Sequence, residues 1–86
     1  MTTTVADIDI GSSWQDLTVT AGSIASADVL IQNVGGGEIA IVFGGGAAPS
    51  GKTGTKLGPN DSVQGNAANI WARAIESSGR VGLQLT

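Results

Sequence analysis

Turn-forming residues interrupt the apolar pattern of this chain so often that no long helix can form. Glycine occupies 14 of the 86 positions, about twice the usual share. Each apolar stretch is a handful of residues bounded by Gly, Ser, Asn or Pro at even spacing, which is the signature of an all-β chain. Val5–Ile10 reads as a first strand, with Ile8 and Ile10 on one face and Asp7 and Asp9 on the other. Trp14–Thr20 reads as a second, with Leu17 and Val19 inward, and Ile24–Ala27 as a short connector. Asp28–Val34 and Glu38–Phe43 read as a hairpin through Gly35-Gly36-Gly37, since glycine supplies the positive φ that hairpin turns need. Asp61–Gly65, Asn69–Glu76 and Arg80–Leu85 complete the set, with Ser77-Ser78-Gly79 as the last tight turn.

The pattern predicts a single small β-sandwich or partly closed barrel of about seven short antiparallel strands. Residues 1–13 form an N-terminal arm or edge strand in this reading. Residues 14–86 form one β domain with a Gly-rich loop at 44–60.

A domain of this size buries only roughly 60–65% of its unfolded surface, so its margin of stability is thin. Small domains close that gap with disulfides, metals or oligomerisation. There is no cysteine and no histidine, which removes disulfides and the common zinc and copper sites. Self-association is the reinforcement left. Charged residues are 13% of the chain, about half the usual share, as in a subunit whose faces are covered by partners. Both strands of the 28–43 pair are apolar on both faces, which predicts a second cover from another chain.

The net charge of −3 disfavours nucleic acid as a partner. The five acids of residues 1–45 stand without a base, whereas residues 46–86 hold Lys52, Lys56, Arg73 and Arg80 against Asp61 and Glu76. That asymmetry suits head-to-tail packing of copies or packing on a host surface. No apolar run approaches the roughly 20 residues of a membrane span, so no membrane partner is expected. Met1-Thr2-Thr3-Thr4 lacks a basic or apolar leader, which predicts synthesis in a cytoplasm.

Gly46–Thr53 matches the phosphate-binding pattern G-x-x-x-x-G-K-[ST] and follows the strand-like run Glu38–Phe43. The chemistry of that motif needs a helix N-terminus after the threonine, whose free N–H groups and dipole hold the phosphates. Gly54-Thr55-Lys56-Leu57-Gly58-Pro59-Asn60 follows instead. Gly costs about 1 kcal/mol and Pro about 3 kcal/mol in a helix interior, so the segment reads as a loop between strands. Without His or Cys, the Ser-His and Cys-His nucleophiles cannot be built. Ser50 with Lys52 has nothing rigid to lower the lysine pKa. Asp7-Ile8-Asp9-Ile10-Gly11 lacks the later ligands and closing glutamate of a calcium loop; its two carboxylates read as solvation of an edge strand. No catalytic residue, cofactor or metal is expected.

The candidate interface residues are Trp71, Arg73, Ile75 and Trp14. Trp71, Arg73 and Ile75 fall on the strand face opposite Ile70, Ala72 and Ala74. Trp and Arg are the preferred anchors of protein interfaces. A stacking platform for sugar rings and a core tryptophan are the rival readings of that face.

Ile31-Gln32-Asn33-Val34-Gly35, Gly46-Ala47-Ala48-Pro49-Ser50, Leu57–Val63, Ile70-Trp71-Ala72-Arg73-Ala74 and the Ser78–Leu85 strand occur in that order. From about Trp14 to the C-terminus the chain thereby resembles the small Gly-rich β proteins of tailed bacteriophage particles. The resemblance implies a non-enzymatic virion component, foremost a head decoration (cement) protein. Such proteins bind the major capsid protein on the outer capsid, staple neighbouring subunits around symmetry axes and meet their own copies there. The alternative it implies is a carbohydrate- or receptor-binding module of the tail or fibre. It carries over no catalytic residue.

Overall fold

The computed structural model describes residues 3–51, 53–76 and 78–85. Its strands are β1 (Thr3–Gly11), β2 (Gln15–Asp16), β3 (Val29–Asn33), β4 (Ile39–Phe43), β5 (Thr55–Leu57), β6 (Ser62–Gly65), β7 (Ile70–Ala74) and β8 (Ser78–Leu85). One helical turn, α1 (Leu17–Thr20), and a 3₁₀ turn (Gly22–Ile24) lead from β2 to β3. The strands form two antiparallel sheets, β1-β8-β3-β6 and β2-β7-β4-β5. They stack as a sandwich and do not close into a barrel. The Cα radius of gyration is 11.3 Å, close to the roughly 12 Å expected of one compact unit this long.

The pairing has a simple logic. β1 pairs with β8, β2 with β7, β3 with β6 and β4 with β5, as in one long ribbon folded at the β4–β5 end. That ribbon is rolled so that β8 also meets β3 and β7 also meets β4. Eight strands rolled in this order are the jelly-roll arrangement. Every connection except β4–β5 therefore passes from one sheet to the other.

Alternation decides what each strand buries. Ile8 and Ile10 of β1, Val29 and Ile31 of β3, Ile39 and Ile41 of β4, Ile70 and Ala72 of β7, and Val81 and Leu83 of β8 share one core. Leu57 of β5 joins it, and Leu17 and Ile24 close it from the β2–β3 connection. Each buried Ile, Leu or Val contributes about 1.5–3 kcal/mol relative to exposure. At one end Phe43 bridges the layers: a Cβ on Gly65 of β6 would lie 2.6 Å from its ring, so only glycine admits the ring there.

Several expectations change. There are eight strands among the described residues, not about seven. The Trp14–Thr20 strand ends after two residues. The Asp16 carboxylate accepts from the Thr18 N–H at 2.9 Å and starts a helical turn, so Leu17 is buried but Val19 is 82% exposed. The 28–43 segment is no hairpin: β3 and β4 lie in different sheets, and Gly35-Gly36-Gly37 carries the chain between layers with no positive φ. The 44–60 loop contains β5, so the long loop is 44–54 and a short turn at 58–61 follows the strand. Residues 3–11 are an edge strand, paired along β8 from Thr3↔Leu85 to Gly11↔Ser78. Gly79 lies within β8, and Ser77 of the expected tight turn lies outside the described residues. Among the described residues no helix is long and apolar enough to cross a membrane.

Candidate interface on the second sheet

β7 places Ile70, Ala72 and Ala74 in the interior and turns Trp71 and Arg73 to the outer face of the second sheet. The register lays out that face. Trp71 stands between Asp16 of β2 and Val42 of β4, and Arg73 stands beside Ala40, which pairs with Lys56 of β5. Trp14 enters just before β2, next to Arg73 in the same register.

The loop 44–54 folds back over this face. Trp71 Nε1 donates to the Gly45 carbonyl at 2.8 Å. Trp14 Nε1 and Arg73 Nη1 both donate to the Gly51 carbonyl, at 2.9 and 3.3 Å. Arg73 Nε donates to the Ala74 carbonyl at 3.0 Å. Three of the four candidate interface residues thus meet on one loop. Both indole rings stay half-buried, and Trp71 lies outside the interior cluster, so it is not a core tryptophan. Ile75 follows just past β7 and is half-buried, its backbone N–H bound to the Glu38 carbonyl at 3.0 Å. Ala40, on the outer side of β4, is fully buried. Gly54 of the loop lies against Val42 on the same outer side, so the chain's own loop supplies part of the second cover expected of that strand.

The Gly46–Thr53 segment belongs to this loop. It runs into strand β5, not into a helix; Lys52 lies outside the described residues. Gly51 and Gly54 take positive φ, +64° and +97°, and Thr53 Oγ1 donates to the Ser50 carbonyl at 3.2 Å.

Two polar residues missed by the sequence reading hold the face in place. Asp16 Oδ1 accepts from the Thr18 N–H and from Thr18 Oγ1 at 2.6 Å, and Asp16 Oδ2 accepts from Asn69 Nδ2 at 2.8 Å. The spacing Asp16-Leu17-Thr18 was the available sign, an acid capping a helical turn. Burial raises the Asp16 pKa, but hydrogen bonds from Thr18, Asn69 and the Ile70 N–H outweigh it and hold the group below 3.8. Its stabilisation is therefore complete above the unfolded pKa and is lost as pH falls through the lowered one. Asp16→Ala should cost about 1 kcal/mol at pH 7, as for a lost cap. Urea unfolding across pH 2–7 should show the difference between wild type and variant shrinking only below about pH 4.

The second missed residue is Asn33, fully buried at the end of β3. Its Nδ2 donates to the Gly37 and Leu57 carbonyls at 2.7 and 2.9 Å, and its Oδ1 accepts from the Gly35 N–H at 3.0 Å. One amide thereby fixes both the inter-sheet corner and the end of β5.

No family model, no curated protein and no solved structure matches this chain.

Proposed function

We propose that the chain is a non-enzymatic structural protein of a virus particle, a head decoration protein that binds the major capsid protein through the outer face of its second sheet. The observation that carries the reading is the convergence of Trp14, Trp71 and Arg73 on one loop, with half-buried Ile75 two residues beyond Arg73. Half-buried aromatic and guanidinium groups, pinned before any partner arrives, lose little entropy on docking and make interface hot spots. The resemblance to small phage β proteins points the same way. The jelly-roll arrangement is at home in capsid domains and equally in lectins, so the fold alone does not choose.

The hydrogen bonding favours the structural role over sugar binding. A sugar platform needs polar groups that converge beside the ring to bind hydroxyls. Here both indole N–H groups and two nitrogens of Arg73 are committed to backbone carbonyls. On the capsid, copies of the chain meet one another as well as the capsid protein.

Attachment to capsids assembled from the major capsid protein, read by gel densitometry, tests the reading. Trp71→Ala should weaken attachment by about 2 kcal/mol or more, although it also releases the loop at Gly45. Ile75→Glu keeps the backbone bond to Glu38 and touches no loop bond. It should fold normally and still lose occupancy. Full occupancy by Ile75→Glu would overturn the proposal.

A further inference from the structure

The outer face of the first sheet, away from the tryptophans, carries a groove of about 90 Å³ lined chiefly by Asp7, Leu30, Gln32, Val34, Gly82 and Gln84. The register explains it. Gly82 of β8 lies between Asp7 of β1 and Gln32 of β3, so the middle of that row has no side chain. A Cβ at position 82 would lie 3.1 Å from Asp7 Oδ1 and 3.3 Å from Val34 Cγ1; the gap is one side chain wide.

Size and charge select the occupant. The volume is small beside the roughly 300–1,000 Å³ of small-molecule sites. It admits the end of one long side chain. Leu30 is half-buried and Val34 is 42% exposed, which gives the groove apolar walls. Asp7 supplies a carboxylate that makes no hydrogen bond to a described residue. Arg80, on the same face, donates its Nε to Asp9 at 2.7 Å and meets Asp7 only by through-space attraction. An apolar stem ending in a cation suits both the walls and the carboxylate.

We propose that this groove docks a single arginine or lysine side chain of a different protein. The reading stands independently of the capsid proposal, because it uses the opposite sheet. A different protein is favoured over a second copy because the described cations of copies are in use: Lys56 Nζ donates to the Gly54 carbonyl at 3.4 Å. Their Arg73 and Arg80 are already engaged in hydrogen bonds.

Amide NMR of the full chain, titrated with N-acetyl-arginine methylamide and, separately, N-acetyl-leucine methylamide, tests this. The arginine probe should give saturable shifts centred on Gly82, Asp7 and Val34, weakened by 0.5 M salt. Asp7→Asn should weaken binding about three- to fivefold, the scale of an exposed ion pair. Gly82→Ala, which narrows the groove at ordinary φ, should abolish the shifts while its unfolding curve shows a folded protein. Equal binding of the leucine probe, or undiminished binding by Asp7→Asn, would overturn the cation slot. Concentration-dependent shifts of the protein alone that vanish in Lys56→Gln would make a second copy the occupant and overturn the assignment to a different protein.

Discussion

Replacing Asn33 by leucine should lower the unfolding free energy by about 3 kcal/mol, although the substitution adds apolar volume to an apolar core. The amide of Asn33 satisfies the Gly37 and Leu57 carbonyls and the Gly35 N–H. Stranding a buried polar group costs about 1–3 kcal/mol. The bond to Leu57 is buried and those to the glycine corner are partly so, so water recovers some of the loss only at the corner. At about 4–8 °C per kcal/mol for a domain of this size, the melting temperature should fall by about 12–24 °C. Asn33→Asp should be at least as damaging, because a carboxylate oxygen would then face two carbonyl oxygens. Calorimetry of both variants is the check. A melting temperature for Asn33→Leu within about 4 °C of wild type, the equivalent of 1 kcal/mol, would show that the corner does not depend on this amide.

Gly54→Ala should destabilise by a similar amount and should leave an optical signature. Gly54 adopts φ of +97°, and a Cβ there would lie 2.6 Å from the Ile41 carbonyl oxygen and 2.6 Å from Val42 Cγ2. A strained φ costs about 1–3 kcal/mol and a forced overlap about as much again, so about 3 kcal/mol is expected. The backbone must move to relieve the overlap, which lifts the end of the 44–54 loop that holds Trp14 and Arg73 at Gly51. The chain has two tryptophans, and both donate to this loop. Their emission should shift to the red in the folded variant. Gly46→Ala, with ordinary φ and nothing within 4 Å of the added carbon, is the control and should leave stability and emission unchanged. Equal behaviour of the two variants would refute the close approach at Gly54.

Much of the secondary structure was legible because it rests on local alternation. Ile8 and Ile10, Ile70, Ala72 and Ala74, and Val81 and Leu83 are spaced by two and point where that spacing sends them. The same alternation turned Trp71 and Arg73 to the outer face. Trp14–Thr20 failed because its apolar spacing fits a strand, while the Asp16 carboxylate offers the following N–H groups a competing hydrogen bond. Asn33 was invisible because its partners lie as far away as Leu57, 24 residues along the chain.

What the sequence by itself determined is therefore the class: short β-strands, their inward residues, and an outward pair of Trp71 and Arg73. Partnering was decided by the tertiary structure. A three-glycine turn serves a hairpin or a corner between sheets equally well, since glycine takes either sign of φ. The choice at Gly35–Gly37 fell to contacts from distant strands: β8 and β6 flank β3, while β7 and β5 flank β4. The same distance rule made Trp14, Trp71 and Arg73 one site. They lie 37, 26 and 22 residues from the loop carbonyls they bind, and only the rolling of the ribbon brings those carbonyls across the sheet. Hydrogen bonds of that span depend on the positions of whole strands, and no local pattern of residues encodes them.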